Sequence, residues 1–464
     1  MFDTNLASYG DQVCFITEDS TLSYSQVNTI CLNIEKELPK EKQLILIMAT
    51  TNIETIIGYL SFLRADQAVI ILDATISEGL SENIIDTYKP NFIWEKQAKN
   101  SVYTVTYGCY GLRKNNSQVL SLHKNLSLML STSGTTGSPK MVKLTKDNLY
   151  INCNSIVQYL GIKSDHRAIT NLPLYYSYGI SILNTHLSQG ASIVVTDKSI
   201  ISKEFWEIFK KYHVTTLNGV PYNYEILRRI GFMKMKLPSL KFMTQAGGKL
   251  NHKLVKEYAN WAKKQSLSFF VMYGQTEATA RISYVPREQI LEKASSIGIP
   301  IPEGKLLIKD INSGEIIKDP YIDGELIYQG KNVMMGYATK LEDLSKEDEL
   351  KGVLHTGDIA QKDKDNYFYI TGRLKRFIKI HGNRIGLDEI EHYLKSKSYD
   401  VLCTGIDNKL MIGTTEQKKQ KEIKDVIIEA FQLHHSVVEV RYLQTYPISN
   451  AGKIQYQELI KVFE

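Results

Sequence analysis

Residues 128–140 read Leu-Met-Leu-Ser-Thr-Ser-Gly-Thr-Thr-Gly-Ser-Pro-Lys: an apolar run gives way to small and hydroxylated residues and closes on Lys140. Small residues let backbone N–H groups approach a phosphate chain, hydroxyls add hydrogen bonds, and the lysine adds positive charge. A flexible surface loop has the same composition. The strand-like run before the tract, the lysine at its end and the helical pattern after it favour the phosphate cradle. The tract is not a Walker A loop, since Lys140 follows a proline, and it lacks the G-x-G-x-x-G spacing.

Outward from this stretch, short β-rich runs alternate with helical patterns. Residues 43–49, 68–72, 192–195 and 268–272 read as strands, and 52–63, 203–211 and 251–264 as helices. Such alternation predicts an α/β fold with mixed or parallel sheets and helices on both faces. From about Asp323 the texture turns to hairpin-like pieces, GELIYQG and NYFYITGR, which predict a small β-rich subdomain. A domain boundary is expected after Arg373. It gives a large domain over 1–373 and a small α+β domain over 374–464, with strands at 376–380, 401–406 and 437–443 and helices at 387–395 and 422–432.

Several further motifs follow in order. Tyr273-Gly274-Gln275-Thr276-Glu277 comes after a buried strand, where a glutamate beside a phosphate loop suits a hard cation such as Mg²⁺, although a Thr-Glu pair after a strand also caps helices. Thr356-Gly357-Asp358 can equally be a turn. Gly372-Arg373-Leu374-Lys375 precedes the small domain, and Lys453, in Pro447–Ile454, can equally be a surface lysine. Together these segments resemble the adenylate-forming superfamily of acyl-CoA synthetases, luciferases and peptide-synthetase adenylation domains.

The resemblance implies ATP and Mg²⁺ as cofactors and assigns roles to individual residues. Ser131, Thr132, Ser133, Gly134, Thr135, Thr136, Gly137 and Lys140 would hold the phosphates, with Tyr273 and Gly274 beside them. Gly247 and Gly248 would carry the adenine. Thr276 would meet the α-phosphate, Glu277 the metal, and Asp358 and Arg373 the ribose. Lys453 would be the catalytic lysine and Lys375 the hinge. Tyr175, Tyr176 and Gly219 would line the acid pocket. Two positions depart from the common pattern: Lys249 replaces a frequent proline, and Tyr175-Tyr176 stand where many acyl-CoA synthetases have an aromatic residue and a histidine.

The implied activity is activation of a carboxylic acid as an acyl-adenylate, then thioester formation on coenzyme A or a phosphopantetheinyl carrier protein. No acidic residue lies between Ala168 and Thr196, where amino-acid adenylation domains place an aspartate for the α-ammonium. An acid without that group is therefore expected, with a stand-alone amino-acid adenylating enzyme and a non-catalytic nucleotide-binding relative as alternatives.

Composition bounds the rest. At 464 residues the chain amounts to about three domain equivalents, and 43% hydrophobic with 23% charged residues excludes disordered, collagen-like and long coiled-coil classes. The net charge of +6 is spread along the chain, so no nucleic-acid partner is expected; the Lys-rich stretch 417–424 reads as a solvated helix face. Five cysteines without a CxxC pair read as reduced thiols, and His123, His434 and His435 lack zinc-ligand spacing. The start, MFDTNLASYGDQ, lacks a leader pattern and no apolar run is long enough to span a bilayer. A cytoplasmic enzyme is expected.

Overall fold

The computed structural model describes residues 2–99, 101–116, 118, 121–131, 140–374, 376–380, 383–449 and 452–463. They form two compact units, one of residues 1–305 with 329–354, the other of 306–328 with 355–464.

The first unit is built on an eight-stranded sheet. Its centre is β1 (Leu44–Ala49) and β2 (Ala68–Asp73), parallel and joined by helix α1 (Ile53–Arg64). Both strands read as continuous apolar runs because both sheet faces are covered. Asn52 starts α1 by accepting a hydrogen bond from the Thr55 backbone at 2.9 Å. β3 (Leu126–Ser131) lies parallel to β2, and β4 (Met141–Thr145) pairs antiparallel with β3. The edge strand Gly336–Ala338 pairs with β4. Helix α2 (Lys146–Leu160) follows β4 through a capping box between Thr145 and Asn148. The expected βα alternation is present.

Helix α3 (Ser177–Leu187) is buried along almost its whole length. A second sheet carries β5 (Thr216–Gly219), β6 (Phe242–Gln245) and β7 (Ser268–Tyr273) in parallel, extended by two short antiparallel strands. The helices 203–211 and 252–264 pack on it, with Phe205, Trp206, Phe209 and Tyr258 in one core.

In the second unit, β8 (Val353–Lys362) and β9 (Phe368–Arg373) form the antiparallel edge of a five-stranded sheet. Beyond it come a hairpin of Phe377–Ile380 with Asn383–Gly386 and helix α4 (Leu387–Ser396). A three-stranded sheet of β10 (Val401–Ile406), β11 (Lys409–Thr414) and β12 (Val438–Tyr442) follows. The strand Asn383–Gly386, β11 and a last helix were not expected from sequence. β11 is reached through a two-residue Asp407-Asn408 turn, with Asn408 at φ 62°, a left-handed conformation that asparagine tolerates better than most residues. Helix α5 (Tyr456–Phe463) buries Leu459 and Phe463 against Leu402, Met411 and Leu443. The helix Gln420–Phe431 turns Ile423 and Ile427 inward and leaves Lys418 and Lys421 exposed, so the 417–424 stretch is a solvated face. The five cysteines are free, and Cys109 alone among them is exposed.

Burial sets a pH limit on the first unit. His186 on α3 is 2% exposed, its Nδ1 donating to the Ile182 carbonyl at 2.9 Å, and burial pushes its pKa down to about 4. An unfolded histidine titrates near 6.5, so as pH falls below that value the unfolded chain takes up a proton the folded chain refuses. Stability then declines until about pH 4, by ~3 kcal/mol in all. Urea unfolding followed between pH 7.5 and 5 is expected to show this loss in the wild type and a flatter profile in His186→Gln.

Candidate active site

Ser131, exposed at the end of β3, pairs with Met141 on β4, so residues 132–139 connect the strands of a hairpin. Thr132, Ser133, Gly134, Thr135, Thr136 and Gly137 lie outside the described residues. The helical pattern expected after the tract is α2, starting at Lys146, and between the tract and this helix lies β4, a strand the sequence reading did not include. β4 follows a period of two: Val142 and Leu144 enter one core while Met141 enters the core on the other face. Lys143 is fully buried there and donates from Nζ to the Asp343 carbonyl at 2.8 Å; burial lowers its pKa.

Lys140 is set by that hairpin. Its Nζ stands 3.4 Å from the centroid of the Tyr337 ring, a cation–π contact. The Tyr337 hydroxyl donates to Glu277 Oε1 at 2.8 Å. Burial first, and then the Glu277 charge, push the phenol's pKa up, so it keeps its proton and remains the donor. One aromatic ring therefore fixes a lysine on its face and a carboxylate at its hydroxyl. Lys140 and Glu277 are 137 positions apart in sequence.

Glu277 sits in a tight turn, Thr276–Ala278, after β7. The helix-cap alternative for the Thr-Glu pair does not hold, because Gln275 occupies the cap position and makes no side-chain cap bond. Thr276 is buried, with its hydroxyl 3.4 Å from Ser177 Oγ at the start of α3. Asn332 clamps this loop: its Nδ2 donates to the carbonyls of Ala278 and Arg281 at 2.8 and 2.9 Å, and its own carbonyl accepts from Thr279 Oγ1 at 2.7 Å. The clamp holds Thr279 at φ 66°, a conformation that costs a branched residue energy. Tyr273 ends β7, and Gly274 is required because a Cβ there would collide with the Ala280 carbonyl.

The expected pocket residues group around α3. Tyr175 is half-buried and Tyr176 buried, with the Tyr176 ring edge-on to Tyr178 at 6.2 Å. Gly247, at φ +82°, is placed so that any Cβ would strike the Tyr176 hydroxyl; Gly248 is exposed beside Pro221. Gly219 ends β5, next to Asn218, which accepts through Oδ1 from Thr244 Oγ1 at 2.6 Å. The Tyr178 hydroxyl reaches the same Thr244 Oγ1, also at 2.6 Å. Tyr176, Gly219 and Gly247 thus belong to one cluster of tyrosines and sheet ends, while Tyr175 packs against the core of the eight-stranded sheet.

In the second unit, Asp358 on β8 is paired in register with Arg373 on β9, and Arg373 Nε lies 2.9 Å from Asp358 Oδ1. Asp358 is 2% exposed, whereas the arginine is mostly exposed. Lys375 lies outside the described residues. Lys453 stands in a bonded loop: its N–H donates to Ser449 Oγ at 3.2 Å, its carbonyl accepts from the Ser449 N–H at 2.8 Å, and Gln455 N–H donates to the Pro447 carbonyl at 2.9 Å. Helix α5 anchors that loop on the three-stranded sheet.

Sequence reading missed Tyr337, Asn332 and Arg281. Tyr337 sits in Gly336-Tyr337 at the end of an apolar run, with nothing local to tie it to Glu277. Arg281, a lone charge in Ala278-Thr279-Ala280-Arg281-Ile282, is the signal that could have been found.

Comparison with known proteins bears on the family and the fold. The profile of the family described as AMP-binding enzyme matches residues 2–338. Feruloyl-CoA synthase of an Amycolatopsis species is 29% identical over 313 residues, 66% of this chain and 60% of that protein. The D-alanine–D-alanyl carrier protein ligase of Listeria monocytogenes is 26% identical over 93% of this chain and 84% of its own length. The match to the first of these relatives spans only 60% of its length. Among solved structures, o-succinylbenzoate CoA synthetase of Bacillus subtilis, in complex with its acyl-adenylate intermediate, superposes with a TM-score of 0.79 at 19% identity, covering 99% of this chain and 97% of its own. Klebsiella oxytoca NpsA in complex with 3-hydroxyanthranilyl-AMSN gives 0.78 at 17%, covering 100% and 98%. With the fold of these enzymes and the profile match along most of its length, the chain belongs to the AMP-binding enzyme family, within the adenylate-forming superfamily.

Proposed function

We propose that this protein activates a carboxylic acid with ATP and then passes the acyl group to a thiol. The observation that carries the reading is the Lys140–Tyr337–Glu277 arrangement, which joins the lysine of the Ser/Thr/Gly tract to the carboxylate expected at the metal.

The residues present fit Mg²⁺. Among the described residues no group of three His, Cys, Asp or Glu side chains could hold a metal, so a caged ion is not supported. A single carboxylate with hydroxyls and a phosphate-binding tract nearby is how Mg²⁺ is usually held, by one or two protein oxygens together with substrate phosphates. Glu277 would be its ligand, with Tyr337 fixing the carboxylate's orientation through the other oxygen's bond. When bound, the ion neutralises charge on the phosphate oxygens.

In the first half-reaction a carboxylate oxygen attacks the α-phosphorus of ATP, the bond to the β-phosphate oxygen breaks, and pyrophosphate leaves. Lys140 and the 131–137 tract would hold the β- and γ-phosphates, Gly247 and Gly248 the adenine, Asp358 and Arg373 the ribose. Lys453 would bridge the carboxylate and the α-phosphate. Such catalysis is positioning and charge stabilisation, without a side-chain nucleophile. In the second half-reaction a thiol sulfur attacks the acyl carbonyl and AMP leaves. Lys453 and Glu277 belong to different compact units, so the reading includes residues 374–464 as a lid turning about Lys375 between the two steps.

The acid is one without an α-ammonium, given the absence of acidic residues from Ala168 to Thr196. The thiol is coenzyme A or a phosphopantetheinyl carrier protein. Ile454-Gln455-Tyr456 after Lys453 lacks the arginines that would meet a nucleotide, and the carrier protein ligase of Listeria aligns with 93% of the chain; both favour the carrier. That alignment also supports, as a second reading, an enzyme that loads an amino acid. The five free cysteines, together with no helix long and apolar enough to cross a membrane among the described residues, support a cytoplasmic location.

Three variants test this reading. Lys453→Ala is expected to abolish acid-dependent pyrophosphate exchange while thiol attack on supplied acyl-adenylate continues; exchange near the wild-type rate would remove Lys453 from the chemistry. Lys375→Pro is expected to uncouple the half-reactions, and equal loss of both, or of neither, would place the hinge elsewhere. Tyr337→Phe keeps the ring over Lys140 but removes the bond to Glu277. One lost charge-assisted hydrogen bond, ~1.5–3 kcal/mol, corresponds to a rise of roughly tenfold or more in the Mg²⁺ concentration needed for half-maximal exchange. An unchanged Mg²⁺ requirement would show that Tyr337 does not orient Glu277.

A further inference from the structure

Arg281 is 3% exposed, and among the described residues it has no carboxylate partner. Its guanidinium lies over the Tyr178 ring, 4.1 Å from the centroid. Nη1 donates to the adjacent Ala280 carbonyl at 3.3 Å and Nη2 to Ser181 Oγ at 3.4 Å, both long, while Nε is buried with no partner at all. The Tyr159 hydroxyl also bonds to the guanidinium, and the Tyr176 hydroxyl lies within electrostatic reach; both groups are neutral and leave the charge without a counter-ion. A buried charge is normally paired, because leaving it unpaired in a low-dielectric interior is costly. Arg281 carries five donors in a planar fork, the shape that matches a carboxylate with two parallel hydrogen bonds.

Its surroundings say which anion completes it. Tyr178 and Ser181 lie in the first two turns of α3, whose N-cap residue is Tyr176, and the Tyr178 hydroxyl is bonded to Thr244, the strand partner of Asn218 next to Gly219. Arg281 therefore belongs to the tyrosine cluster proposed as the acid pocket, and not to the phosphate tract, whose charge is met by Lys140. We infer that the acid this protein activates is a dicarboxylic acid, one carboxylate reacting with ATP while the other is bound by Arg281. The inference rests on the adenylation reading and narrows its substrate class. A fixed buried cation there also disfavours an α-ammonium, in agreement with the missing acid between Ala168 and Thr196.

The full chain is assayed for acid-dependent pyrophosphate release on matched pairs that differ only at the far end: butanoate with succinate, hexanoate with adipate, benzoate with terephthalate. Binding is followed in parallel as the Tm shift caused by each acid in the presence of a non-hydrolysable ATP analogue. In at least one pair the diacid is expected to have the higher kcat/KM by about 100-fold or more, since a site with buried polar groups rejects an analogue that leaves them unpaired. Arg281→Met should erase that preference without altering the Tm shift from the ATP analogue. Arg281→Lys, which keeps the charge but loses the fork, should keep part of the preference and provides the comparison if the methionine variant does not fold. Equal or better turnover of the monoacid in every pair, or an equal loss with both members in Arg281→Met, overturns the dicarboxylate inference and leaves adenylation standing. Absence of pyrophosphate release with every acid overturns the adenylation reading instead. The Tm shifts then decide the site: stabilisation by a diacid alone, lost in Arg281→Met, retains it, and no such stabilisation overturns it.

Discussion

The Tyr337 side chain is the constraint on which the first unit's site depends. Its ring face meets the Lys140 ammonium and its hydroxyl meets the Glu277 carboxylate, so opposite charges are held on one rigid group without touching each other. A direct Lys–Glu pair would satisfy both charges and leave less of either for a ligand. Separated by a ring, each keeps its capacity to bind. The geometry depends on sheet register: Tyr337 lies opposite Val142 on β4, one strand from the Ser131–Met141 pair that closes the hairpin.

The second unit uses a different device. Asp358 and Arg373 are brought together by strand pairing alone, and a bulge at Ile359/Ala360 adjusts the twist next to them. Lys453 depends on a small core of its own, since α5 and its partners Leu402, Met411 and Leu443 hold the loop from outside. Arg376, just past the proposed hinge, is mostly buried between Asp388, Glu391 and the Tyr456 ring. Its charge is fully partnered, in contrast to that of Arg281. That contrast separates an arginine with a structural role from one that lacks its anion.

Much of this was legible in the sequence because it is local or patterned. The apolar runs at 43–49 and 68–72 are strands since both sheet faces are covered, and Asn52 and Asn251 cap helices where the periodicity begins. The ordered motifs identified the superfamily because each keeps its chemistry within a few residues. Long-range contacts were not legible. Nothing near Gly336-Tyr337 announces Glu277, and nothing near Arg281 announces Tyr178, 103 positions earlier. β4 was missed because Met141–Thr145 is short and buried on both faces, so its period of two is hidden under uniform apolarity broken only by a lysine that the interior accommodates. Helix α5 was missed because only Leu459 and Phe463 reach the core.

The chain of contacts from Arg281 through Tyr178 and Thr244 to Asn218 joins a loop, a helix and two strands. Within it Tyr178, Thr244 and Asn218 are hydrogen-bonded in series, so exchanging one of these three strands a polar group of its neighbour in the interior. A lineage drifting towards a different acid would have to change these residues together, or pass through poorly folded intermediates. The chemistry of the pocket is thereby protected by stability as well as by selection for activity, and preference for the acid should be among the slowest-evolving traits of this protein.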